Sequence, residues 1–169
     1  MTSIESLADR LAIAEVVARL ATAQDARDWT RLRTLLADHV RFDLSEHLGL
    51  PAGEVSAEDF VQQARGVADG FTATHHIAAN LVIELDADDR ASCGAHVLAY
   101  HHLADAPDPR DATCVMRGTW RVGLRKAGER WVIEQLTVVR TAPLEGNADL
   151  YMQTATGARV VGQRESDHG

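Results

Sequence analysis

The sequence lacks several features that would assign the protein to a common functional class. Its 17 Lys and Arg residues are outnumbered by 25 Asp and Glu residues, so the net charge is -8. An acidic surface repels phosphate backbones and anionic lipid headgroups, and we therefore expect neither nucleic acid nor membrane as a partner. No run of about 18 apolar residues occurs, and the N-terminal MTSIESLADR has no cationic and apolar signal segment. A cytoplasmic protein is expected.

Motifs for several kinds of chemistry are also missing. The two cysteines, Cys93 and Cys114, fall in candidate strands, where a thiol packs as a small apolar side chain. The eight histidines include no HxxxH pair and the chain has no CxxC pair, so no metal site is predicted. Neither a serine nucleophile elbow nor a phosphate-binding glycine loop occurs. The sequence therefore predicts chemistry that needs no cofactor.

The first part of the chain has the periodicity of a helix. Thr2 or Ser3 is the expected N-cap of a helix that starts at Ile4, because apolar residues then recur at three- and four-residue spacing. The side chains expected to face inward are Leu7, Leu11, Ala14, Val17, Ala18 and Ala21, widened by Ile13, Val16 and Leu20.

Two more helices and a short strand are predicted next. Asp28 is the expected cap of a helix over Trp29–Ala37, and a strand is predicted over Val40–Leu44. Ser45–Ser56 contains two glycines and a proline and is predicted as an irregular loop, a kind of segment that often forms a lid. A helix is predicted over Ala57–Ala68, with Ser56 as its cap.

The second half of the chain alternates apolar and polar residues, as strands do. Strands are predicted over Ile77–Leu85, Ala91–Leu103, Thr113–Lys126 and Trp131–Thr141. Because helices come early and neighbouring strands follow, we expect an α+β fold in which one curved antiparallel sheet wraps around the three N-terminal helices. Residues 1–142 are the expected single domain, and 143–169 a C-terminal extension that is either mobile or covers a pocket.

Five of the eight histidines lie on the hairpin that the first two long strands form. His75 and His76 lie near the start of one strand, and His101 and His102 near the end of the next. Antiparallel pairing brings the two doublets to the same end of the sheet. Ionisable side chains that meet there predict a pocket.

Strand alternation leaves open which histidine of the first doublet faces that pocket. It places His75, and not His76, on the side of Ile77. Either a β-bulge before Ile77 shifts the register, or the pocket lies on the less apolar side, with Ala78, Asn80 and Val82. We take His76 as the first choice and His75 as the second.

On the returning strand, alternation places His96, Leu98, Tyr100 and His102 on one side and His101 on the other. Two histidines and a tyrosine on one face are unusual for packing alone. A solvated strand end explains them equally well.

Three segments resemble motifs of the nuclear transport factor 2-like superfamily, and within it of the SnoaL-like group that includes scytalone dehydratase. Gln24–Asp43 resembles the family's helix-turn-helix segment, Thr74–Asn80 its pocket histidine followed four residues later by asparagine, and Arg130–Leu136 its closing strand. The resemblance covers residues 4–142 by element order. It implies a conical barrel open at one end, often dimeric through the outer face of the sheet.

The resemblance also implies roles for particular residues. Asp25 corresponds to the family's pocket aspartate, His76 to its first catalytic histidine and His102 to its second. Where scytalone dehydratase has two tyrosines that orient a water molecule, this chain has Gln24 and Leu44. The same substrate and the same water-assisted step are therefore not expected.

Together these features predict a cofactor-free dehydratase or isomerase in which Asp25 orients His76 as a base, and His102 or Tyr100 supplies a proton. The expected substrate is a small, largely apolar, carbonyl-bearing molecule such as a polyketide or steroid-like intermediate. The expected substrate-binding residues are His75, Asn80, Tyr100, Gln24, Leu44 and Trp120. A non-catalytic binding or dimerisation module, or a cyclase or epoxide hydrolase of the same superfamily, is the alternative.

A homodimer is also expected, through the outer face of the sheet. The reason is that Trp and Val side chains on the last two strands would otherwise be exposed to water.

Overall fold

The computed structural model describes residues 3–87, 89–106 and 108–155. Its first helix, α1, spans Ile4–Asp25. The side-chain oxygen of Ser3 accepts a hydrogen bond from the Ser6 amide, so Ser3 is the N-cap. Thr2, the other predicted cap, lies outside the described residues.

The face of α1 that meets the sheet differs in part from the predicted one. Leu7 and Leu11 are 58% and 72% exposed and Ala18 is exposed as well, so their predicted burial is wrong. Asp9 fixes the rotation of this end of the helix, because its carboxylate accepts hydrogen bonds from Trp131 and Lys126 in the sheet. Further along, α1 buries the predicted residues Ile13, Val17, Leu20 and Ala21. Full burial of each larger side chain contributes about 1.5–3 kcal/mol.

The second helix, α2, spans Trp29–Thr34 and is shorter than predicted. The chain instead enters the sheet as strand β1, Leu36–Asp43, because backbone pairing with the last long strand competes with further helix. The side chain of Asp28 caps α2 through the Arg31 amide, as expected.

The predicted irregular loop contains two short elements, α3 at Ser45–Leu48 and strand β2 at Gly53–Ser56. β2 pairs with β1, which gives the loop its extended second half. Helix α4 then spans Ala57–Asp69. The Ser56 hydroxyl caps it through the Asp59 amide, so the predicted cap is confirmed.

Four long strands follow α4 and overlap the predicted ones closely. They are β3 (Ala73–Ala87), β4 (Arg90–His102), β5 (Thr113–Ala127) and β6 (Arg130–Arg140). The order across the sheet is β2-β1-β6-β5-β4-β3, and neighbours are antiparallel except for β1 and β6. A curved, unclosed sheet thus follows the N-terminal helices, and the predicted α+β class is confirmed.

The end of the described chain folds back onto the sheet. Strand β7, Glu145–Gly146, pairs with the start of β5, and helix α5 spans Ala148–Ala155. Gly146 has a φ of 85°, and an added Cβ would collide with the Thr113 carbonyl, so this tight turn requires glycine. Tyr151 of α5 completes a small apolar cluster with Phe71, Leu103 and Cys114.

Several side chains predicted to be exposed on the last two strands are buried. Trp120 and Val122 of β5 and Trp131 and Val138 of β6 belong to the main apolar core. The expectation that exposed Trp and Val side chains would drive a dimer is therefore wrong, because these side chains pack within their own chain. Cys93 and Cys114 are buried free thiols, as predicted.

None of the described helices is both long and apolar enough to cross a membrane.

Candidate active site

A cavity of about 970 Å³ lies between the helices and the inner face of the sheet. Apolar side chains from both layers form much of its wall, among them Phe42, Phe60, Met116, Trp120, Leu136 and Val138. Four of the described histidines line it: His39, His47, His76 and His101. The pocket predicted from the histidine hairpin is present, although only part of that hairpin's predicted site residues line it.

Asp25 and His76 are joined by the predicted contact. Oδ1 of Asp25 lies 2.6 Å from Nδ1 of His76 and accepts a second hydrogen bond from the Thr74 hydroxyl at 3.0 Å. Oδ2 accepts from the backbone amide of His76 at 2.7 Å. The side chains of Asp25 and His76 are 17% and 13% exposed. The carboxylate therefore has three donors, all from β3, and little contact with water.

The C-terminal end of α1 holds Asp25 against β3. Arg27 follows the helix in the left-handed conformation, with φ at 54°, and the amides of Arg27 and Asp28 bond back to the carbonyls of Gln24 and Ala23. Its guanidinium donates to the carbonyls of Ala68 and Phe71, beyond α1. These contacts tie the turn after Asp25 to the end of α4.

The ionised form of Asp25 is favoured despite its burial. Burial on its own would raise the pKa of Asp25, because it strips water from the charge. The hydrogen bonds from the ring and amide of His76, the charge of His76, and the Thr74 hydroxyl outweigh this and lower the pKa below its ordinary value. Asp25 is thus an anion at neutral pH, and its bond to Nδ1 fixes the orientation of the imidazole.

A β-bulge explains why His76, and not His75, faces the cavity. Ala79 pairs with His96 but Val82 pairs with Gly94, so β3 has one extra residue there. Asn80 has a φ of 54°, a left-handed conformation that asparagine tolerates. The bulge predicted before Ile77 is therefore wrong, and Ile77 is 48% exposed; at this end of the strand the cavity lies on the side of Ala78, as the other alternative states. His76 shares the inner face with Leu81 beyond the bulge, and His75 is exposed.

The prediction that His102 belongs to the site is wrong, because its side chain lies on the outer face of the sheet. Along β4 every second residue from Ala91 to His101 is buried, so His101 faces inward and His102 outward. His101 lines the cavity and its ring centroid lies 5.8 Å from that of His76. The apolar row that contains Ala95, Val97 and Ala99 was the sequence signal for the inner face, and His101 belongs to that row.

Two other predicted contacts also lie on the outer face. Tyr100 stacks on His102 with ring centroids 6.4 Å apart, and Asn80 bonds to His96 at 3.0 Å. Neither Tyr100 nor Asn80 is among the described residues that line the cavity. Strand alternation and the bulge turn both away from it.

Gln24, Leu44 and Trp120 line the cavity, and their role in substrate binding stays a prediction. The Gln24 amide bonds to the carbonyl of Leu20, which keeps it against its own helix. The ring of Trp120 lies 6.1 Å from that of His76. Trp120 thus forms part of the wall next to the imidazole.

His101 is a neutral side chain at physiological pH. It is 2% exposed, and burial, followed by the nearby charge of His76, lowers the pKa of His101 to about 3. Nδ1 lies 3.4 Å from the carbonyl of Cys114 and donates to it. The other ring nitrogen of His101 is then an acceptor, so His101 cannot donate a proton into the cavity.

His47 and Tyr151 are two lining residues that the sequence analysis missed. Nε2 of His47 lies 2.6 Å from the phenol oxygen of Tyr151, and burial lowers the pKa of His47 to about 4. The two residues are 104 positions apart in the chain, and α3 is too short for a periodic pattern. No local sequence signal could have paired them.

The charged side chains that line the cavity are acidic. Glu54 and Asp59 line it, and no lysine or arginine occurs among the described lining residues. Among the described residues, no group of three or more His, Cys, Asp or Glu side chains is placed to hold a metal ion. The arrangement can move a proton by way of His76 within a mainly apolar space that disfavours anions.

Comparison with known proteins gives a family and a fold. A model of the SnoaL-like domain matches residues 5–137. The Kfla4162 protein from Kribbella flavida is 27% identical, with a TM-score of 0.78, and the match covers 86% of this chain and 98% of that one. No curated protein matches the sequence.

Two structures of lower identity show the same fold, that of the nuclear transport factor 2-like proteins. A candidate scytalone dehydratase from Novosphingobium aromaticivorans is 15% identical, with a TM-score of 0.69, and the match covers 80% of this chain and 86% of that one. A type 2 LinA hexachlorocyclohexane dehydrochlorinase is 18% identical, with a TM-score of 0.69, over 82% of this chain and 88% of that one.

Proposed function

Because the chain belongs to the SnoaL-like domain family, we propose that it is a cofactor-free acid–base enzyme of the dehydratase or isomerase type. Its substrate is a neutral, largely apolar molecule with a carbonyl group. Two structural neighbours carry the names of elimination enzymes, a dehydratase and a dehydrochlorinase. Eliminations and isomerisations next to a carbonyl both require removal of a carbon-bound proton.

The observation that carries the proposal is the Asp25–His76 pair. The Asp25 carboxylate holds the Nδ1 proton of His76, which leaves Nε2 as the nitrogen that can accept a proton. The same carboxylate stabilises the imidazolium that forms. Positioned acid–base groups of this kind accelerate proton transfer about 10²- to 10⁴-fold. His102 and Tyr100 have no part in this step, because they lie on the outer face.

The cavity supports an uncharged substrate. Its wall is mainly apolar, and its charged lining residues, Glu54 and Asp59, are acidic. A carboxylate or phosphate substrate would meet repulsion from these two side chains, and no lysine or arginine among the described lining residues offsets it. A volume of about 970 Å³ holds a molecule of several fused rings. A polyketide or steroid-like intermediate is therefore the substrate type that we propose.

We also propose a cytoplasmic homodimer that binds neither nucleic acid nor membrane. Three exposed apolar side chains support a dimer through the outer face of the sheet. Ile77, Val82 and Leu98 lie on the outer face of β3 and β4 and are 48%, 64% and 36% exposed. Analytical ultracentrifugation of the wild type and of Leu98→Lys tests this, and a wild-type monomer would contradict it.

Hydrogen–deuterium exchange of a simple ketone tests the proposed chemistry without knowledge of the natural substrate. We expect the wild type to accelerate exchange of the α-protons of 2-tetralone in D2O, followed by proton NMR. Exchange at the rate of buffer alone would contradict the proposed enzymatic activity. If 2-tetralone binds without faster exchange, the alternative of a non-catalytic binding module is correct.

A further inference from the structure

A second polar pair, His47 and Tyr151, lines the cavity and has no part in the chemistry described above. The two residues are 4% and 6% exposed. The phenol ring lies between aromatic neighbours, with ring centroids 4.8 Å from His101 and 6.4 Å from Phe71. Burial of polar groups carries a cost in free energy that a single hydrogen bond offsets only in part. The pair therefore requires a reason beyond packing.

The direction of the hydrogen bond between His47 and Tyr151 follows from the other nitrogen of His47. Nδ1 of His47 is buried and has no hydrogen-bond partner among the described residues. If Nε2 accepted the phenol proton, Nδ1 would carry a buried N–H without an acceptor. If Nε2 donates to the phenol oxygen, Nδ1 has only an unused lone pair, and unused acceptors are commoner than orphaned N–H groups.

His47 is thus the donor, and the phenol proton of Tyr151 remains available to a ligand. The rings of His76, His101 and Tyr151 follow one another across the cavity wall, with centroids 5.8 and 4.8 Å apart. His101 accepts hydrogen bonds but does not donate into the cavity. Tyr151 is therefore a proton donor on the same wall of the cavity as the proposed base.

We propose that Tyr151, held by His47, donates a hydrogen bond to the carbonyl oxygen of the substrate, which selects a neutral ketone or aldehyde for this cavity. The inference rests on the proposed function, because it takes the cavity as the substrate site. Tyr151 contacts the substrate, whereas His47 is a positioning residue.

The proposed step balances as a reversible enolisation. Nε2 of His76 takes the proton from the carbon next to the carbonyl. The electrons of that C–H bond form the carbon–carbon double bond, and the carbonyl π electrons move onto oxygen. Burial raises the pKa of Tyr151, so the phenol keeps its proton and stabilises the enolate oxygen by a hydrogen bond. When the substrate has a β,γ double bond, the product of this step is a dienolate, and return of the proton from His76 to its γ carbon gives the conjugated isomer.

The test compares two ligands that differ in the carbonyl, 2-tetralone and the hydrocarbon tetralin. Binding is followed by the fluorescence of Trp120 in the cavity wall. The wild type is expected to bind 2-tetralone about tenfold more tightly, the effect of one hydrogen bond. Tyr151→Phe is expected to bind the two ligands equally. In the wild type the hydrogen bond should lower the carbonyl stretching frequency of bound 2-tetralone, and this shift should be absent in Tyr151→Phe. An unchanged preference in Tyr151→Phe, or no preference in the wild type, would overturn the proposal.

Three further variants separate this role from a structural one. Tyr151→Phe alone leaves a donor of His47 unpaired, so the double variant His47→Leu, Tyr151→Phe replaces both partners with apolar groups and should fold well. It is also expected to show no ketone preference. His47→Gln retains an N–H donor and should keep most of the preference for 2-tetralone over tetralin. In His47→Leu the ratio of the two affinities should fall about threefold. Equal losses in the last two variants would contradict the positioning role.

Failure of this inference is distinguishable from failure of the proposed function. Asp25→Asn removes the support of the base but leaves the phenol in place, so its preference for 2-tetralone should equal that of the wild type. A protein without α-proton exchange can still show the preference. A protein with exchange but no preference would refute the role of Tyr151 alone.

Discussion

The carboxylate of Asp25 accepts two hydrogen bonds from the same residue, one from the ring of His76 at 2.6 Å and one from its backbone amide at 2.7 Å. The side chain at the end of α1 therefore fixes both the imidazole and the strand that carries it. A carboxylate suits this position because every group that faces it is a donor. This double contact has consequences for stability as well as for chemistry.

Replacement of Asp25 by asparagine should destabilise the protein without unfolding it. An amide has one acceptor atom, so either the ring or the backbone amide of His76 then faces the NH2 group. The free energy of unfolding should fall by about 1–3 kcal/mol in urea denaturation at pH 7. Because the pKa of Asp25 is lowered in the fold, the contribution of its charge is complete at this pH.

Asp28→Asn is the matched control, because Asp28 caps α2 and asparagine caps a helix equally well. Its free energy of unfolding should stay within about 0.5 kcal/mol of the wild type. Equal losses of unfolding free energy in the two variants would show that the contacts of Asp25 contribute no more to stability than a helix cap does.

The bulge in β3 gives a second prediction. Asn80→Gly and Asn80→Val both lose the contact with His96, but only valine is strained at a φ of 54°. Asn80→Val should therefore be less stable than Asn80→Gly by about 1–2 kcal/mol, measured by chemical denaturation. Stabilities within about 0.3 kcal/mol of each other would mean that the left-handed residue is not required.

The two buried histidines predict how stability depends on pH. Unfolded, each binds a proton below its ordinary pKa of 6.5, whereas in the fold the pKa values of His47 and His101 are about 4 and about 3. Between pH 6.5 and 4 the unfolded chain binds more protons, so stability falls as the pH falls. Each histidine contributes about 1.4 kcal/mol per pH unit to this slope.

Urea denaturation at several pH values in this range checks the slope. The variant His47→Leu, Tyr151→Phe removes one of the two histidines and should flatten it. Val17→Ala, in the apolar core, should lower stability equally at every pH. A slope that is the same in all three proteins would contradict the buried, neutral state of His47.

The contact between α4 and α5 gives a further prediction. Gly70 ends α4, and an added Cβ would collide with the side chain of Thr154 in α5. Gly70→Ala should therefore loosen α5 and speed amide hydrogen exchange across it. Gly66→Ala, where an added Cβ has open space, should leave that exchange unchanged and slightly stabilise α4. Equal exchange rates in the two variants would show that α5 does not depend on this contact.

Sequence patterns predicted the framework well, for identifiable physical reasons. Long strands alternate two faces over many residues, so β5 and β6 could be placed almost to their ends. Helix α4 was placed by its cap, because the Ser56 hydroxyl satisfies a backbone donor locally. The place of His75 and His76 on the hairpin singled them out, whereas the role of Asp25 came from a family resemblance and not from periodicity.

The errors occur where contacts distant in the chain decide the local structure. The bulge at Asn80 could not be located, because asparagine fits both a regular strand and a left-handed residue. The polar neighbours His96 and Tyr100 favour His102 as a site residue, whereas the apolar row of β4 places His101 on the inner face. The pair His47 and Tyr151 depends on the fold of the whole chain. Pairing between β1 and β6 likewise shortened α2, against its local preference for helix.

The claim that Asp25 and His76 act together as the base is tested by a double-mutant cycle on 2-tetralone exchange. We expect His76→Ala to fall to the rate of buffer and Asp25→Asn to lose at least about tenfold in exchange rate. The double variant should be no slower than His76→Ala, and Asp28→Asn should exchange like the wild type. Wild-type exchange in His76→Ala, or a double variant whose loss is the sum of two partial losses on a logarithmic scale, would contradict the claim.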